Sequence, residues 1–321
     1  MQAWYRKRTG WLWGLAPLSG LFALISAARR RLFRHGIKAR YRAPVPVIVV
    51  GNLTVGGNGK TPLVVWLVAW LRRQGYTPGV ISRGYGGKAE RYPLLLNADT
   101  RPEQAGDEPV LIYRRTGCPV VVGPKRCEAA ALLAAQGVDI IISDDGLQHY
   151  ALDRDIELVV VDGKRRFGNG HLLPVGPLRE GLWRLKQVDA IINNGGPTDT
   201  GEYLMTLEPG ALQPVSGQQA APEPGSSVHA LAGIGHPPRF FATLEQLGFV
   251  LEQRLALADH QAVSPDRLAS LRQAPLLITE KDAVKWPGGH EDTWFLPVDA
   301  RLPAAFEQLL STRLKELDHG D

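Results

Sequence analysis

The sequence predicts an α/β protein: a P-loop-type parallel sheet with helices on both faces, a smaller second α/β domain and an N-terminal membrane-associated helix. Apolar, β-branched runs alternate with helical patterns from residue 41 onward, as in parallel sheets whose strands are connected by helices. A glycine-rich loop ending in Lys60-Thr61 follows the first of these runs. Tryptophans and arginines crowd residues 1–35 around an apolar stretch. These three observations predict the fold class.

The composition is that of an ordinary globular protein, with 321 residues, 44% hydrophobic and 21% charged. The net charge of +5 suits an acidic substrate or an anionic membrane surface. No basic stripe with interleaved aromatic residues is present, so we expect no nucleic acid partner. The two cysteines, Cys118 and Cys127, lack metal-site spacing and cannot staple a chain of this length, so a reducing compartment is expected.

The N-terminal 35 residues contain an apolar run over 11–28 with arginines on both sides. A signal peptide is disfavoured because an arginine cluster directly follows the apolar centre. A spanning helix needs about 20 apolar residues, and this run is interrupted by Gly14, Pro17 and Gly20. A helix lying in the membrane interface explains the flanking tryptophans and arginines better, and a helix packed on its own domain is the alternative.

The stretch at residues 47–62 predicts a phosphate-binding P-loop. It joins a buried strand to a glycine loop, Lys60-Thr61 and a helix over 63–74. Lys60 is expected to reach the β- and γ-phosphates of a nucleotide, and the Thr61 hydroxyl to bind Mg²⁺. Thr54 stands where the usual pattern has glycine, and a chance glycine-rich turn is the alternative. The predicted nucleotide-binding residues are Thr54, Val55, Gly56, Gly57, Asn58, Gly59, Lys60 and Thr61.

Further strands are predicted at residues 77–82, 120–122, 138–143, 156–161 and 188–192, with helices at 110–115 and 126–136. In such sheets ligands collect beyond the carboxyl ends of the strands. Asp144 and Asp145 end one of these strands, where P-loop enzymes place a magnesium anchor. An Asp-Asp-Gly turn with a helix cap is the structural alternative. The sequence thus offers Asp144 and Asp145, with Thr61, as candidate metal ligands.

Three other candidates lie elsewhere in the chain. Asp107, in Gly-Asp-Glu-Pro, can accept a proton from a substrate hydroxyl, although this sequence is also an ordinary helix start. Arg179 can stabilise charge on a transferred phosphoryl group, but an Arg-Glu pair is more often a surface ion pair. His260, next to Asp259, can orient a carboxylate base, although a lone histidine is more often structural.

Proline- and glycine-rich punctuation over residues 194–227 predicts a domain boundary. A short hairpin is expected there through residues 203–207 and 212–215. A second α/β unit follows, with strands at 228–232 and 276–279 and helices at 240–247 and 303–316. The predicted regions are an interface helix, a P-loop nucleotide-binding domain, a linker with a short hairpin and a second α/β domain, over residues 1–35, 36–200, 201–227 and 228–321.

Taken together, these motifs resemble the tetraacyldisaccharide 4'-kinase family of lipid A biosynthesis over nearly the whole chain and in the family's order. The family's P-loop has the same residue at position 54. The runs over 144–149 and 279–285 are specific, whereas a P-loop alone is not. The motifs that carry the resemblance cover residues 51–62, 82–86, 106–109, 144–149, 168–170, 173–174, 176–180, 259–260 and 279–285.

The resemblance implies a P-loop kinase-type enzyme, peripheral or monotopic at the cytoplasmic face of the bacterial inner membrane. It would transfer the γ-phosphate of ATP to the 4'-hydroxyl of an acylated glucosamine disaccharide 1-phosphate, giving lipid IVA, with no obligate protein partner evident. By resemblance Lys60 and Arg179 contact the ATP phosphates. Thr61 and one of Asp144 and Asp145 hold Mg²⁺, and Asp107 is the base, oriented by His260.

Two other functions share some of these features. A membrane-surface P-loop ATPase or GTPase switch would use the loop, the magnesium aspartate and the amphipathic anchor without needing Asp107 and His260 as a base pair. A soluble small-molecule kinase would bury the N-terminal helix in its core. Transfer of label to lipid separates the first alternative from the kinase, and liposome flotation separates the second.

Overall fold

The computed structural model describes residues 2–6, 10–216, 220–257, 271, 273–286 and 291–318. Its strands form a nine-stranded sheet and a five-stranded sheet. Helices cover the larger sheet on both faces, so the predicted α/β class is confirmed. The strands, numbered β1 to β14 in chain order, are Val47–Gly51, Pro78–Ser82, Leu94–Leu95, Val120–Val122, Ile140–Asp144, Ile156–Asp162, Ala190–Asn194, Glu202–Pro209, Gln213–Ser216, Ser227–Ala232, Val250–Ala256, Leu276–Thr279, Thr293–Leu296 and Val298–Arg301.

The larger sheet has the strand order β14-β8-β7-β6-β1-β5-β2-β4-β3. Its seven inner strands are parallel, and the two edge strands, β3 and β14, pair antiparallel with their neighbours. β1 lies at the centre, with β5 on one side and β6 on the other, and Val50 is in register with Asp144. The carboxyl ends of β1 and β5 therefore deliver the glycine loop and the paired aspartates to the same edge of the sheet.

The described α-helices, numbered α1 to α8, are Ala16–Arg34, Lys60–Arg73, Pro102–Ala105, Asp107–Thr116, Arg126–Ala134, Pro237–Gln246, Glu280–Val284 and Ala304–Asp318. The larger sheet separates two apolar cores, and helices cover both. Val64, Leu67 and Trp70 of α2 join the core on one face, and Ala129, Ala130 and Leu133 of α5 join the core on the other. This arrangement explains the continuous apolar strands, since both faces of the sheet are buried.

The smaller sheet has the order β11-β10-β12-β13-β9, with the first four strands parallel and β9 antiparallel to β13. Helix α6 buries Phe240, Phe241 and Leu244 in the core on one face of this sheet. A second apolar cluster that includes Leu231 and Ile278 lies on the other face. This unit corresponds to the first part of the predicted second α/β domain, up to the end of β13.

The linker prediction is wrong in one respect, because the two expected hairpin strands do not pair with each other. β8 pairs with β7 and β14 in the larger sheet, whereas β9 pairs with β13 in the smaller one. Tyr203 and Leu207 pack against the core of the larger sheet, and Leu212 packs against the core of the smaller one. The apolar residues that suggested a hairpin are therefore partly buried against separate cores.

The C-terminal residues also differ from the predicted division at 228–321. β14 is an edge strand of the larger sheet, and Phe306 of α8 contacts Trp66 with ring centroids 5.6 Å apart. Phe306, Leu310 and Leu314 are buried in the core of the larger sheet. The chain therefore leaves the larger sheet after β8, builds the smaller one, and returns after β13.

The N-terminal segment forms 3₁₀ turns over Gln2–Tyr5 and Gly10–Leu15, followed by α1. Its hydroxyl and indole groups attach it to one loop: Ser19 Oγ donates to the Leu172 carbonyl at 3.0 Å, and Trp4 Nε1 donates to the Pro174 carbonyl at 3.0 Å. Gly10–Arg34 is long and apolar enough to cross a membrane, and 6% of its most apolar window is buried. Most of this apolar surface therefore faces outward.

Candidate active site

The glycine loop connects the central strand β1 to helix α2, whose first residue is Lys60. Gly59 precedes this helix in a left-handed conformation, with φ of 86°. A Cβ atom at Gly59 would also collide with the side-chain amide of Asn194. That amide donates a hydrogen bond to the Asn58 carbonyl at 2.9 Å. Glycine is therefore required at this position for both backbone and steric reasons.

Thr54, the departure from the usual P-loop pattern, is part of a short antiparallel bridge with Leu178. Its hydroxyl accepts a hydrogen bond from Asn58 Nδ2 at 2.8 Å, which ties the two ends of the loop together. The residue is buried and extended, so the position has no need for glycine. Two backbone bonds extend the bridge, from Val55 N–H to Pro177 at 2.9 Å and from Arg179 N–H to Leu53 at 2.7 Å.

This pairing brings Arg179 to the glycine loop, 119 positions after Lys60 in the chain. Arg179 Nη1 lies 3.2 Å from each carboxylate oxygen of Asp145, and Lys60 Nζ lies 3.3 Å from Oδ1 of the same carboxylate. Lys60 also donates to Asn52 Oδ1 at 3.1 Å. Burial disfavours the charged form of Asp145, but these two cations outweigh it and lower its pKa to about 2. Two positive charges therefore converge next to loop amides that can bind phosphate.

Asp144 has a different environment from its neighbour. Ser82 Oγ donates to Asp144 Oδ2 at 3.2 Å, while Oδ1 is buried and has no hydrogen-bond partner among the residues that the structure describes. Burial is the largest influence on this carboxyl and raises its pKa to about 6. Asp145 has φ of 50°, a left-handed backbone conformation, and its carboxylate pairs with Lys60 and Arg179. The adjacent carboxylates therefore have different partners.

A magnesium ion fits this donor set. The unsatisfied Oδ1 of Asp144 is a buried oxygen of the kind that Mg²⁺ prefers, and the Thr61 hydroxyl lies in the first turn of α2 on the adjacent strand–loop unit. P-loop sites combine one hydroxyl, one carboxylate and the phosphate oxygens in this way. Asp144 is the better candidate of the predicted pair, since Asp145 is already engaged by Lys60 and Arg179.

Asp107 is the first residue of α4 and is 8% exposed. Gly106 directly before it has φ of 89°, which turns the chain into the helix. Its neighbour Glu108 is close enough to Asp144 for its charge to contribute to the raised pKa of that carboxyl, after burial and the opposing charge of Lys60. The start of α4 therefore belongs to the same polar region as the paired aspartates. His260, the predicted partner of Asp107, lies outside the described residues.

Several polar residues near the loop were not identified from the sequence. Asn52 supports the loop by donating to the Thr54 carbonyl at 2.7 Å while it accepts from Lys60. Arg165 donates to the Gly57 carbonyl, and Arg239 of α6 donates to Asn194 Oδ1 at 3.0 Å. Asn52 lies within the P-loop stretch at residues 47–62, so its role in the loop could have been predicted from the sequence. Arg165 and Arg239 gave none, because only folding brings them to the loop.

A parallel sheet with this loop, two converging cations and a separate carboxylate at a helix start defines a P-loop phosphotransferase. The family model described as Tetraacyldisaccharide-1-P 4'-kinase matches residues 11–315 of the chain. The match covers more than nine-tenths of the chain, so the chain belongs to the tetraacyldisaccharide-1-P 4'-kinase family.

Related proteins agree with this assignment. The chain is 60% identical to the Tetraacyldisaccharide 4'-kinase of Aeromonas hydrophila over 99% of its own length and 95% of that protein's. It is 56% identical to the protein of the same name from Tolumonas auensis, over 99% and 98% of the two lengths. The crystal structure of "apo" form LpxK from Aquifex aeolicus in complex with ATP is similar, with a TM-score of 0.77 and 28% identity. That similarity covers 94% of this chain and 99% of the other.

Proposed function

We propose that the protein transfers the γ-phosphate of ATP to the 4'-hydroxyl of tetraacyldisaccharide 1-phosphate, forming lipid IVA in lipid A biosynthesis. The observation that carries this proposal is the convergence of Lys60 and Arg179 at the glycine loop, in a chain of this family. Membership of a kinase family disfavours the alternative of a nucleotide-hydrolysing switch. The related tetraacyldisaccharide 4'-kinases indicate the substrate class.

In the proposed reaction the 4'-oxygen forms a bond to the γ-phosphorus while the bond to the oxygen bridging β- and γ-phosphorus breaks. ADP leaves with that oxygen, and the hydroxyl proton passes to Asp107. Lys60 and Arg179 exchange the Asp145 carboxylate for phosphate oxygens and neutralise the charge that moves between them. Asp145 thus keeps two cations oriented before the nucleotide arrives. His260 is proposed to orient Asp107.

Asp144 and Thr61 are the residues proposed to hold Mg²⁺. When bound, the ion would neutralise charge on the β- and γ-phosphate oxygens. Ser82 keeps one oxygen of Asp144 fixed, which leaves the other free for the metal. Asp145 serves the neighbouring cations instead.

Asp144→Ala is expected to raise the Mg²⁺ concentration needed for half-maximal activity more than Asp145→Ala does. The first change removes a proposed metal ligand, whereas the second removes the partner of Lys60 and Arg179 and should mainly raise the KM for ATP. Titrating activity with Mg²⁺ at saturating ATP, and with ATP at saturating Mg²⁺, separates the two effects. The opposite ordering of the two variants would assign the metal to Asp145.

The proposed reaction is tested with purified protein, γ-labelled ATP and the acylated disaccharide 1-phosphate in detergent micelles. Label should move to the lipid, and ADP should form in equal amount. The same protein with ATP alone is the control. Release of inorganic phosphate at a rate that ignores the lipid would favour the switch instead.

We also propose that the protein attaches to the cytoplasmic face of the bacterial inner membrane through α1, as a peripheral or monotopic protein. Trp11, Leu21 and Leu24 are 69%, 53% and 68% exposed, which leaves an apolar surface without cover in the described chain. Arginines 29, 30, 31 and 34 follow along the same helix and suit anionic lipid headgroups.

The double variant Leu21→Asp/Leu24→Asp is expected to lower binding to anionic liposomes at least about 10-fold, because it places charge on the surface that would enter the bilayer. Flotation of the protein with phosphatidylglycerol-containing liposomes measures the effect. Val250→Asp is the matched control, since Val250 is 53% exposed on the smaller sheet. Equal flotation of wild type and double variant would remove the membrane proposal.

A further inference from the structure

The unit built around the smaller sheet contacts α4 through the short helix α7 and Lys285, which follows it. Ion pairs join Lys281 Nζ to Glu108 Oε1 at 2.6 Å, Arg115 Nη1 to Glu280 Oε1 at 3.0 Å, and Lys285 Nζ to Asp107 Oδ2 at 3.6 Å. The proposed catalytic base is therefore in contact with a lysine from the other unit of the protein. Lys285 closes the Thr-Glu-Lys-Asp-Ala-Val-Lys run, to which the sequence gave no chemical role.

The Lys285 ammonium lies between two carboxylates. Its Nζ atom is buried, 3.3 Å from Asp282 Oδ1 and 3.6 Å from Asp107 Oδ2. Asp282 is 2% exposed and is held in place by the Gly233 N–H at 2.8 Å and the Thr279 hydroxyl at 2.6 Å. Lys285 is thus anchored to a fixed carboxylate in one unit and faces Asp107 in the other.

We propose that Lys285 is a positioning residue for Asp107, a proposal that rests on the proposed kinase reaction. A carboxylate at the first position of a helix can rotate about its side-chain bonds, so the orientation of its proton-accepting oxygen is not set by the backbone alone. The ammonium attracts one oxygen of Asp107, which directs the other toward the incoming hydroxyl. Proton transfer requires that oxygen within hydrogen-bond reach of the substrate.

The geometry favours positioning over simple docking of the two units. The Lys281–Glu108 ion pair is 1.0 Å shorter than the Lys285–Asp107 ion pair. Arg115 pairs with both Glu280 and Asp299. These stronger pairs hold α7 and β14 against α4 without Lys285. The Lys285 ammonium makes no hydrogen bond of good geometry among the described residues, although both its carboxylate neighbours are close. A long contact of this kind adds little to docking but retains its charge effect on Asp107 in a buried setting.

The test compares Lys285→Met with Lys281→Met, which breaks an ion pair at the same interface without touching Asp107. Lys285→Met should lower kcat about 10²-fold, the loss expected from misplacing a reacting group by about 1 Å, and leave the KM for ATP unchanged. Lys285→Arg, which keeps the charge, should recover most of this loss. Lys281→Met should retain near-wild-type kcat. Thermal melting of each variant identifies a folding defect.

A double variant decides whether Lys285 acts through Asp107. In the Asp107→Asn background, Lys285→Met should cause little further loss, because the carboxylate that it positions has already been removed. Equal fold-losses in both backgrounds, or a raised KM for ATP with unchanged kcat, would overturn the inference. If Lys285→Met melts early, Lys285→Gln replaces it, since its amide can still donate to Asp282.

The same assay keeps the inference distinct from the proposed function. Wild-type protein that transfers no phosphate to lipid would overturn the proposed function and the role of Lys285 with it. Active wild type together with a fully active Lys285→Met variant would overturn the role of Lys285 alone.

Discussion

Replacing Lys60 by alanine is expected to abolish phosphate transfer to the lipid, with a fall in kcat of about 10³-fold or more. The ammonium lies 3.3 Å from Asp145 and 3.1 Å from Asn52, at the first residue of α2 and directly after the glycine loop. No second lysine occupies the glycine loop, so the phosphates would lose their main counter-charge there. Initial rates of label transfer at saturating ATP measure the loss.

The control for this variant is Lys125→Ala, which removes an exposed lysine paired with Glu128 at 2.7 Å. Surface pairs of this kind contribute little, so its activity and melting temperature should match wild type. A Lys60→Ala protein that is folded and turns over at a near-normal rate would contradict the P-loop assignment. Loss of ATP binding together with loss of melting transition would instead indicate misfolding.

Asp107→Asn is expected to lower kcat about 10²- to 10⁴-fold while ATP affinity is retained. The substitution keeps the size of a side chain that is 8% exposed, and it removes the negative charge from the oxygen that is proposed to accept the hydroxyl proton. In the structure Asp107 contacts Lys285 rather than the lysine and arginine that are proposed to hold the phosphates. The two functions should therefore separate in the kinetics.

Measurements of kcat and of ATP binding by calorimetry distinguish these outcomes for Asp107. Asp99→Asn, an identical change at an exposed loop carboxylate, controls for the chemistry of the substitution. Weakened ATP binding with unchanged kcat would reassign Asp107 to the nucleotide site. A loss of both would indicate that the start of α4 supports the glycine loop.

The sequence was sufficient for features that depend on neighbouring residues. The apolar run before Gly51 predicts a buried strand, and the Gly-Lys-Thr sequence predicts a loop that leads into a helix; both follow from local backbone chemistry. Asp144 was placed correctly at a strand end because periodicity fixes where β5 stops. The family resemblance rests on the order of the motifs along the chain, and the family model confirms the family.

Features that depend on distant pairing required the structure. Thr54 departs from the usual glycine because of a bridge to Leu178, a residue that no local pattern connects to the loop. Lys285 belongs to the motif over residues 279–285, yet its contact with Asp107 forms only when α7 packs against α4. The alternation in β8 fits a hairpin strand as well as an inner strand of the larger sheet, and only the core against which each apolar side chain packs decides between them.

The return of the last residues to the larger sheet sets the order in which the protein can be assembled during synthesis. β9 to β13 lie between residues 213 and 296, so the smaller sheet has all its strands before β14 and α8 have been translated. Chains emerge from the ribosome at roughly 5–20 residues per second and fold domain by domain. Until the final helix covers Trp66, the nascent nucleotide-binding half exposes an apolar flank, so its core is completed only after the whole smaller sheet has been translated.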